Sequence, residues 1–237
     1  MAVTVKDASG HVYFDSAQPA ASGAIRTEST TAAALTAMTA SDTYTIARLS
    51  CLLDPIAAKA DVEGMGLKNT GGYIFYDGNN LNWLDPSKPA ARQYLCGLAK
   101  ELAEMGFDEI LLDNWGYPAE GNLGYIKQGN AYDLEHLSQP VEEFLARAEA
   151  ALEPYGTRLA LRSTWAVLEG DESPGGQTAQ LLERYAQRVW LEAPEDGMAD
   201  LLSQAGLPEG EERLALLVGR AGPQTWTVPQ GIWDPEA

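Results

Sequence analysis

The stretch GFDEILLD, residues 106–113, predicts the end of a helix followed by a buried strand of a parallel sheet. Gly106 suits the left-handed residue at which many helices stop. Residues 107–112 end in the apolar run ILL, as expected of a strand that is covered on both faces. Asp113 follows directly, so this strand delivers a carboxylate to the edge of the sheet where α/β barrels place their active sites.

Strand and helix patterns alternate on both sides of this stretch. Strands are predicted at residues 2–6, 44–51, 107–112, 159–163, 189–192, 214–218 and 225–228, and helices at about 28–40, 89–105, 139–153, 177–187 and 197–205. Ser87 is the expected cap of the second helix, and residues 54–72 read as an irregular loop that is followed by a short extra strand at 73–76.

Apolar strands that alternate with amphipathic helices indicate an α/β fold whose parallel sheet is covered by helices. We therefore predict a TIM-type (β/α) barrel as the single domain of residues 1–237. Such a barrel needs eight units, and only about seven strands are found, so we expect the first βα unit to be missing or to lie upstream.

Composition excludes several classes of function. With 34 acidic and 16 basic residues the net charge is −18, which repels phosphate backbones and argues against a nucleic-acid partner. No run approaches the ~18 apolar residues of a transmembrane helix. Two histidines and two cysteines give little material for a zinc site or a histidine-based triad, so no metal and no cofactor is expected. Oligomeric state and localisation stay open.

Polar residues at the ends of the predicted strands are the candidates for a site, because active sites of α/β barrels lie at the carboxyl ends of the strands. They are Lys6, Asp7, Arg48, Ser50, Asp113, Asn114, Arg162, Ser163 and Glu192. The period-two alternation of strands makes Arg48 and Asp113 neighbours if both point into the barrel. An arginine there would keep the carboxylate ionised, which suits a nucleophile or an electrostatic stabiliser.

A pair of carboxyl groups is what glycoside hydrolysis needs, one to donate a proton and one to attack or to activate water. Asp113 is the first candidate, and Glu192, two units later, is the second. Four tryptophans near strand ends offer ring faces on which a sugar can pack. The predicted substrate-binding residues are Lys6, Asp7, Arg48, Trp83, Asn114, Trp115, Trp165 and Trp190.

Several segments, taken together, resemble a known family. They are VKDASG at 5–10, YTIAR at 44–48, LDP at 53–55, WLDP at 83–86 and GFDEI at 106–110, followed by Asp113 and Pro118. In this order and spacing they resemble a family of bacterial TIM-barrel proteins described as "putative glycosyl hydrolases". The resemblance covers about residues 2–118. It implies a carbohydrate ligand and makes Asp113 the family's strand-end aspartate.

The sequence departs from the family pattern at two positions close to Asp113. Leu111 stands where the family has a polar residue, and Gly116 stands where it has an arginine. Loss of a cation near the mouth of the barrel would change local pKa values and anion recognition. These departures motivate a second hypothesis beside a glycoside hydrolase, a barrel that binds carbohydrate or a cell-surface partner without cleaving it.

A third, weaker hypothesis is a metal-dependent hydrolase that uses Asp7, Asp54, Asp85 and Asp113. The lack of well-placed histidines argues against it. Separation of the carboxyl groups distinguishes the first two hypotheses. A partner for Asp113 at ~5–5.5 Å or ~6.5–9.5 Å favours hydrolysis, and the absence of one favours binding alone.

Overall fold

A computed structural model describes residues 1–127, 133–171, 173, 175–192 and 214–217. Its strands are β1 (Ala2–Lys6), β2 (Ile46–Ser50), β3 (Glu109–Asp113), β4 (Arg158–Arg162), β5 (Arg188–Glu192) and β6 (Leu214–Leu217). Its α-helices are α1 (Ser29–Thr39), α2 (Pro55–Ala60), α3 (Pro89–Glu104), α4 (Ser138–Leu152), α5 (Trp165–Glu169) and α6 (Ala179–Tyr185). The helix predicted at 197–205 and the strand predicted at 225–228 lie outside the described residues.

The six described strands form one sheet in chain order, and each pairs in parallel with the next. Parallel strands in sequential order, with helices in the crossovers, are the arrangement of a TIM-type barrel. The predicted α/β class is therefore confirmed. Register aligns strand ends, since Ser50 at the end of β2 pairs with Asp113 at the end of β3, and Glu192 at the end of β5 pairs with Leu217 at the end of β6.

The outer face of the sheet packs against helices with a clear apolar side. Helix α3 buries Tyr94, Leu95, Leu98 and Leu102, and α4 buries Val141, Phe144, Leu145 and Leu152. These positions follow the three- and four-residue spacing of one helix face. Together with the strand residues that point outward, they form the main core.

The inner face of the sheet carries a second, separate apolar cluster. Its buried members are Ile46, Leu111, Ala160, Trp190 and Ala215, one from each of β2 to β6. Trp190 Nε1 donates a hydrogen bond to Glu109 Oε1 at 3.0 Å, which joins β5 to β3 across this face. The sheet is thus curved around a filled interior, and Leu111 is one of the side chains that fill it.

Below this cluster lies a buried ion pair between Glu109 Oε2 and Arg188 Nη1, 2.9 Å apart. The Tyr44 hydroxyl donates to the same Glu109 oxygen at 2.9 Å. Burial of Tyr44 and the charge of Glu109 raise the pKa of Tyr44 to about 12, so this ring keeps its proton and its role as a donor. These polar groups bind one another at the amino ends of the strands, away from the carboxyl ends where α/β barrels carry their sites.

Three local predictions are wrong. Ser87 does not cap α3; its amide and hydroxyl both donate to Asp85 Oδ1 instead, at 2.9 and 2.6 Å. Residues 55–60, expected to be loop, form α2, because Asp54 caps the helix by accepting from the Ala57 amide at 2.9 Å and a proline occupies its first position. Residues 73–76 contribute an isolated bridge rather than a strand. Gly106 has φ +95°, as its predicted place at a helix end requires.

The Asp85 carboxyl group gives a prediction about stability and pH. Burial raises the pKa of Asp85, against the lowering effect of its bonds from Ser87. When a carboxyl group has a raised pKa in the folded state, its protonated form contributes to the free energy of unfolding. That contribution is fully present below the unfolded pKa and is lost as pH rises through the folded pKa. We expect Asp85→Asn to be more stable than wild type at pH 7, by a margin that shrinks towards pH 4. Urea unfolding at both pH values measures this margin, and a margin that grows on acidification would contradict the assignment.

Candidate active site

A cleft of about 540 Å³ opens at the carboxyl ends of β3, β4 and β5. Its lining residues include Trp83, Asp113, Asn114, Gly116, Tyr117, Glu120, Arg162, Thr164, Trp165, Gln177 and Glu192. This is the end of the sheet at which α/β barrels carry their chemistry. The cleft also has the size of an ordinary small-molecule site.

Asp113 lies deep in the cleft and is surrounded by donors. Its Oδ2 accepts from Arg48, whose Nε is 3.1 Å away and whose Nη2 also contacts it, and from Arg162 Nη1 at 3.0 Å. Its Oδ1 accepts a hydrogen bond from the backbone N–H of Asn114 at 3.0 Å. The contact with Arg48 is the one that strand alternation predicts. Two guanidinium groups therefore converge on one carboxylate oxygen, an arrangement of charge-assisted hydrogen bonds that fixes the side chain.

Arg162 joins Asp113 to Glu192. While Nη1 of Arg162 binds Asp113, its Nη2 binds Glu192 Oε1. Burial of Arg162 works against its charge, but the two carboxylates outweigh burial and raise the pKa of Arg162. Because the Arg162 guanidinium binds both acids, the carboxyl groups of Asp113 and Glu192 lie within the upper limit of ~9.5 Å for the carboxylate pairs of glycosidases.

The two carboxylates differ in environment. The Asp113 side chain is only 12% exposed, whereas that of Glu192 is 74% exposed. Asp113 is fixed by three donor residues, and Glu192 reaches the cleft from its rim. One acid is therefore held in place by its donors, and the other is open to solvent and to a ligand that covers it.

Two of the four predicted tryptophans lie in the cleft. Trp165, at the start of α5, donates from Nε1 to the Glu192 carbonyl oxygen at 2.8 Å. Trp83 Nε1 donates to Asp77 Oδ2, also at 2.8 Å. Both rings have their nitrogen occupied. Trp165 is partly exposed and can present ring surface to the cleft, whereas Trp83 is 8% exposed and packs mainly in the core.

The other two tryptophans are elsewhere. Trp115 is fully buried and donates from Nε1 to the Arg162 carbonyl oxygen at 2.7 Å, which supports the backbone beneath that arginine. Trp190 is 1% exposed and fills the barrel interior. Neither ring has a face open to a ligand.

Lys6 and Asp7 are also outside the cleft lining. Lys6 is fully buried; its Nζ donates to the Ser50 carbonyl oxygen at 2.7 Å and lies 3.1 Å from Asp54 Oδ2. Asp7 closes a turn, with Oδ1 accepting from the His11 amide and Oδ2 from the Tyr13 hydroxyl. The structure thus brings Arg48, Asp113, Asn114 and Glu192 together and leaves these two apart.

The loop after β3 explains the glycine at position 116. A Cβ on Gly116 would lie 2.7 Å from the Gly175 carbonyl oxygen and 2.8 Å from Gln177 Cγ. The Tyr117 amide donates to the same carbonyl oxygen at 2.8 Å. Backbone packs directly on backbone here, so a larger residue has no room. The cations near Asp113 come from the strands, as Arg48 and Arg162.

The aspartates considered for a metal site have separate partners. Asp7 closes its turn, Asp54 faces Lys6, Asp85 binds Ser87 and Asp113 binds arginines. Within the described ranges, no three His, Cys, Asp or Glu side chains are grouped so that they could hold a metal ion. A search of the same residues finds no helix with the length and hydropathy needed to span a bilayer.

Comparison with known proteins extends the motif resemblance. Residues 1–194 match the family described as "Putative glycosyl hydrolase domain", well past residue 118 where the motifs ended. A crystal structure of a hypothetical protein from Ruminiclostridium thermocellum ATCC 27405 is 29% identical, with a TM-score of 0.57; the match covers 68% of this chain and 80% of that one. A search of curated proteins gives no match.

More distant structures share the fold. The PgaB (BpsB) glycoside hydrolase domain from Bordetella bronchiseptica is 17% identical with a TM-score of 0.61, over 92% of this chain and 73% of that one. Aspergillus fumigatus Ega3, solved in complex with galactosamine, is 14% identical with a TM-score of 0.51, over 95% and 78% of the two chains. At these identities the likeness concerns the barrel fold.

Proposed function

This chain belongs to the "Putative glycosyl hydrolase domain" family, and we propose from that premise that it hydrolyses O-glycosidic bonds of a bacterial or dietary glycan. Asp113 and Glu192 are the proposed carboxylate pair. The observation that carries the proposal is the guanidinium of Arg162, which binds both acids at the mouth of the barrel. It holds two carboxylates at one cleft, within reach of one bond.

The environments of the two acids suggest their roles. Asp113, bound by Arg48 and Arg162, is suited to remain a carboxylate and to act as nucleophile or as stabiliser of positive charge at the sugar. Glu192 is suited to act as acid/base. A sugar that covered this exposed side chain would desolvate it, and desolvation favours the protonated form that can donate to the leaving oxygen.

The remaining cleft residues are proposed to hold the sugar. Trp83 and Trp165 offer ring surface for the C–H face of a pyranose, and Asn114, which lines the cleft, offers an amide for its hydroxyl groups. Arg48 is proposed to act through Asp113, which it orients. A glycan is the proposed partner, and no bound cofactor takes part.

One observation favours the alternative, a barrel that binds carbohydrate without cleaving it. The same guanidinium that joins Asp113 and Glu192 occupies both acids. If ligand binding left these pairs intact, neither acid would be available to react. The ligand would then bind to the tryptophans and dissociate without being cleaved.

The test is to incubate the purified chain with glycans that it binds on an array and to follow the first product by NMR of its anomeric proton. Hydrolysis with retention would indicate carboxyl groups ~5–5.5 Å apart in the complex, and inversion ~6.5–9.5 Å. A ligand-induced change in tryptophan fluorescence without any product would instead support the binding barrel.

A further inference from the structure

Three tyrosines are exposed on two loops next to the cleft, and Lys59 Nζ lies 5.8 Å from the centre of one of their rings, that of Tyr76. Tyr73 is 76% exposed, Tyr125 59% and Tyr76 46%. The other large apolar side chains that are exposed in the described parts of the chain are Met1, Tyr44, Leu134 and Tyr155. We name Tyr73, Tyr76 and Tyr125 the tyrosine surface.

The loops that carry the tyrosine surface are rigidly built. The Asn69 amide donates to the Tyr73 carbonyl oxygen at 2.7 Å, and the next amide, that of Thr70, donates to the Tyr125 carbonyl oxygen at 2.8 Å. Buried Phe75 and Ile126 anchor the two segments from below. Because the backbone is fixed, little conformational freedom is lost when a ligand settles on these rings.

This surface continues from the cleft. Asp77, next to Tyr76, accepts from Trp83 Nε1, and Trp83 lines the cleft. The cleft residue Glu120 is followed by Gly121, whose backbone lies so close to the other loop that a Cβ would be 2.5 Å from the Gly78 amide nitrogen. The loops that carry the tyrosines therefore border the cleft at Trp83 and Glu120.

The chemistry of the surface fits a sugar chain. A tyrosine ring gives a flat apolar face and a hydroxyl group at its edge, which matches the C–H face and the hydroxyl groups of a pyranose. Asn79, Asn80 and Asn122 lie exposed on the same loops and offer amides that both donate and accept hydrogen bonds.

We propose that the tyrosine surface binds a polysaccharide chain whose reacting unit lies in the cleft. This rests on the proposed function and deepens it, since it makes the substrate a polymer rather than a mono- or disaccharide. Binding is then shared between the cleft, which holds the scissile bond, and the tyrosine surface, which holds sugar units several positions away.

The experiment uses the full chain and an array with homologous oligosaccharides of increasing length, from disaccharides to decasaccharides. Wild type is expected to bind the long members of one series more tightly than the short ones. The double variant Tyr73→Ala, Tyr125→Ala is expected to lose about tenfold or more in affinity for the long members, with short ones unaffected. Tyr155→Ala is the matched control, since Tyr155 is also exposed but binds Glu104 away from the cleft.

The outcomes separate the two proposals. If the affinity of wild type does not increase with oligosaccharide length, or if the double variant keeps that increase, the proposal that the tyrosine surface binds sugar is wrong. This conclusion holds whether or not short oligosaccharides are cleaved. If the double variant loses this increase in affinity but wild type cleaves no member of the series, polysaccharide binding by the tyrosine surface is supported and the proposed hydrolysis is wrong. Thermal unfolding of each variant shows that lost affinity does not come from lost folding.

Discussion

Replacement of Asp113 by asparagine is expected to lower kcat for glycan hydrolysis by about 10⁴- to 10⁶-fold, the range seen when a charged stabilising residue or a nucleophile is removed from another hydrolase. Asparagine keeps the shape of the side chain and an oxygen that can accept from Arg48 and Arg162. What it loses is the charge that attacks or stabilises the sugar in the transition state. KM is expected to change much less, because the ring contacts that bind the substrate remain.

Glu192→Gln is the companion variant and is expected to cost ~10²–10⁴-fold in kcat, the range of a positioned acid/base. The loss should be smallest for substrates with a good leaving group, such as nitrophenyl glycosides, which do not need a proton. Asp108→Asn is the matched control. It makes the same change at the opposite end of the β3 segment, where Asp108 accepts from the Thr45 amide and hydroxyl.

Steady-state kinetics on one substrate, with urea unfolding of each variant, measure these effects. If Asp113→Asn hydrolysed the substrate like wild type, Asp113 would have no catalytic role. Equal losses for Asp113→Asn and Asp108→Asn would trace the effect to folding rather than to chemistry.

The fold was predictable because its signal is repeated. Apolar strands recur along the described chain, and the helices α3 and α4 between them are clearly amphipathic, so each repeat supports the same interpretation. The contact between Arg48 and Asp113 was also predictable, since the period of two puts both residues on the inner face of the sheet. The register pairs Arg48 with Leu111, and the long arginine side chain reaches Asp113, two residues further along β3.

The tryptophans show where such reasoning stops. Sequence places Trp83, Trp115, Trp165 and Trp190 near strand ends without distinction. Trp190 is the middle residue of β5 and faces inward, so it lies one layer below the mouth and fills the interior. Trp115 turns under Arg162 because the backbone turns at Asn114, with φ 50°. The conformation of the loop decides where such a side chain lies, and the periodicity of the sequence does not predict that conformation.

The role of Arg162 also needed the structure. Its place at the end of β4 marks it as a candidate, but a guanidinium has several donors and many rotamers, and sequence does not say which acids it binds. Glu120 and Gln177 reach the cleft from loops and have no strand-end signal at all. Gly116, which reads as a lost arginine, proves to be a packing requirement of the loop.

Lys6→Met is expected to lower the free energy of unfolding by ~3–5 kcal/mol, because it breaks a buried ion pair and leaves one charge behind. Lys6 and Asp54 are both fully shielded from solvent, and Lys6 also donates to Ser50. Methionine fills similar space but leaves the Asp54 carboxylate without its cation. Burial and the same carboxylate raise the pKa of Tyr94, so that ring stays protonated and adds no second negative charge beside Asp54.

A double-mutant cycle with Asp54→Asn distinguishes the ion pair from simple packing. Asparagine keeps an oxygen for the Ala57 amide, so the cap of α2 survives while the charge is removed. If the cost of Lys6→Met is that of a stranded carboxylate, the double variant is expected to recover much of the lost stability in urea unfolding. Lys68→Met, which breaks an ion pair with the 81% exposed Glu63, should cost only ~0–1 kcal/mol. Equal costs for Lys6→Met and Lys68→Met would mean that the junction of β1, β2 and α2 is not held by this pair.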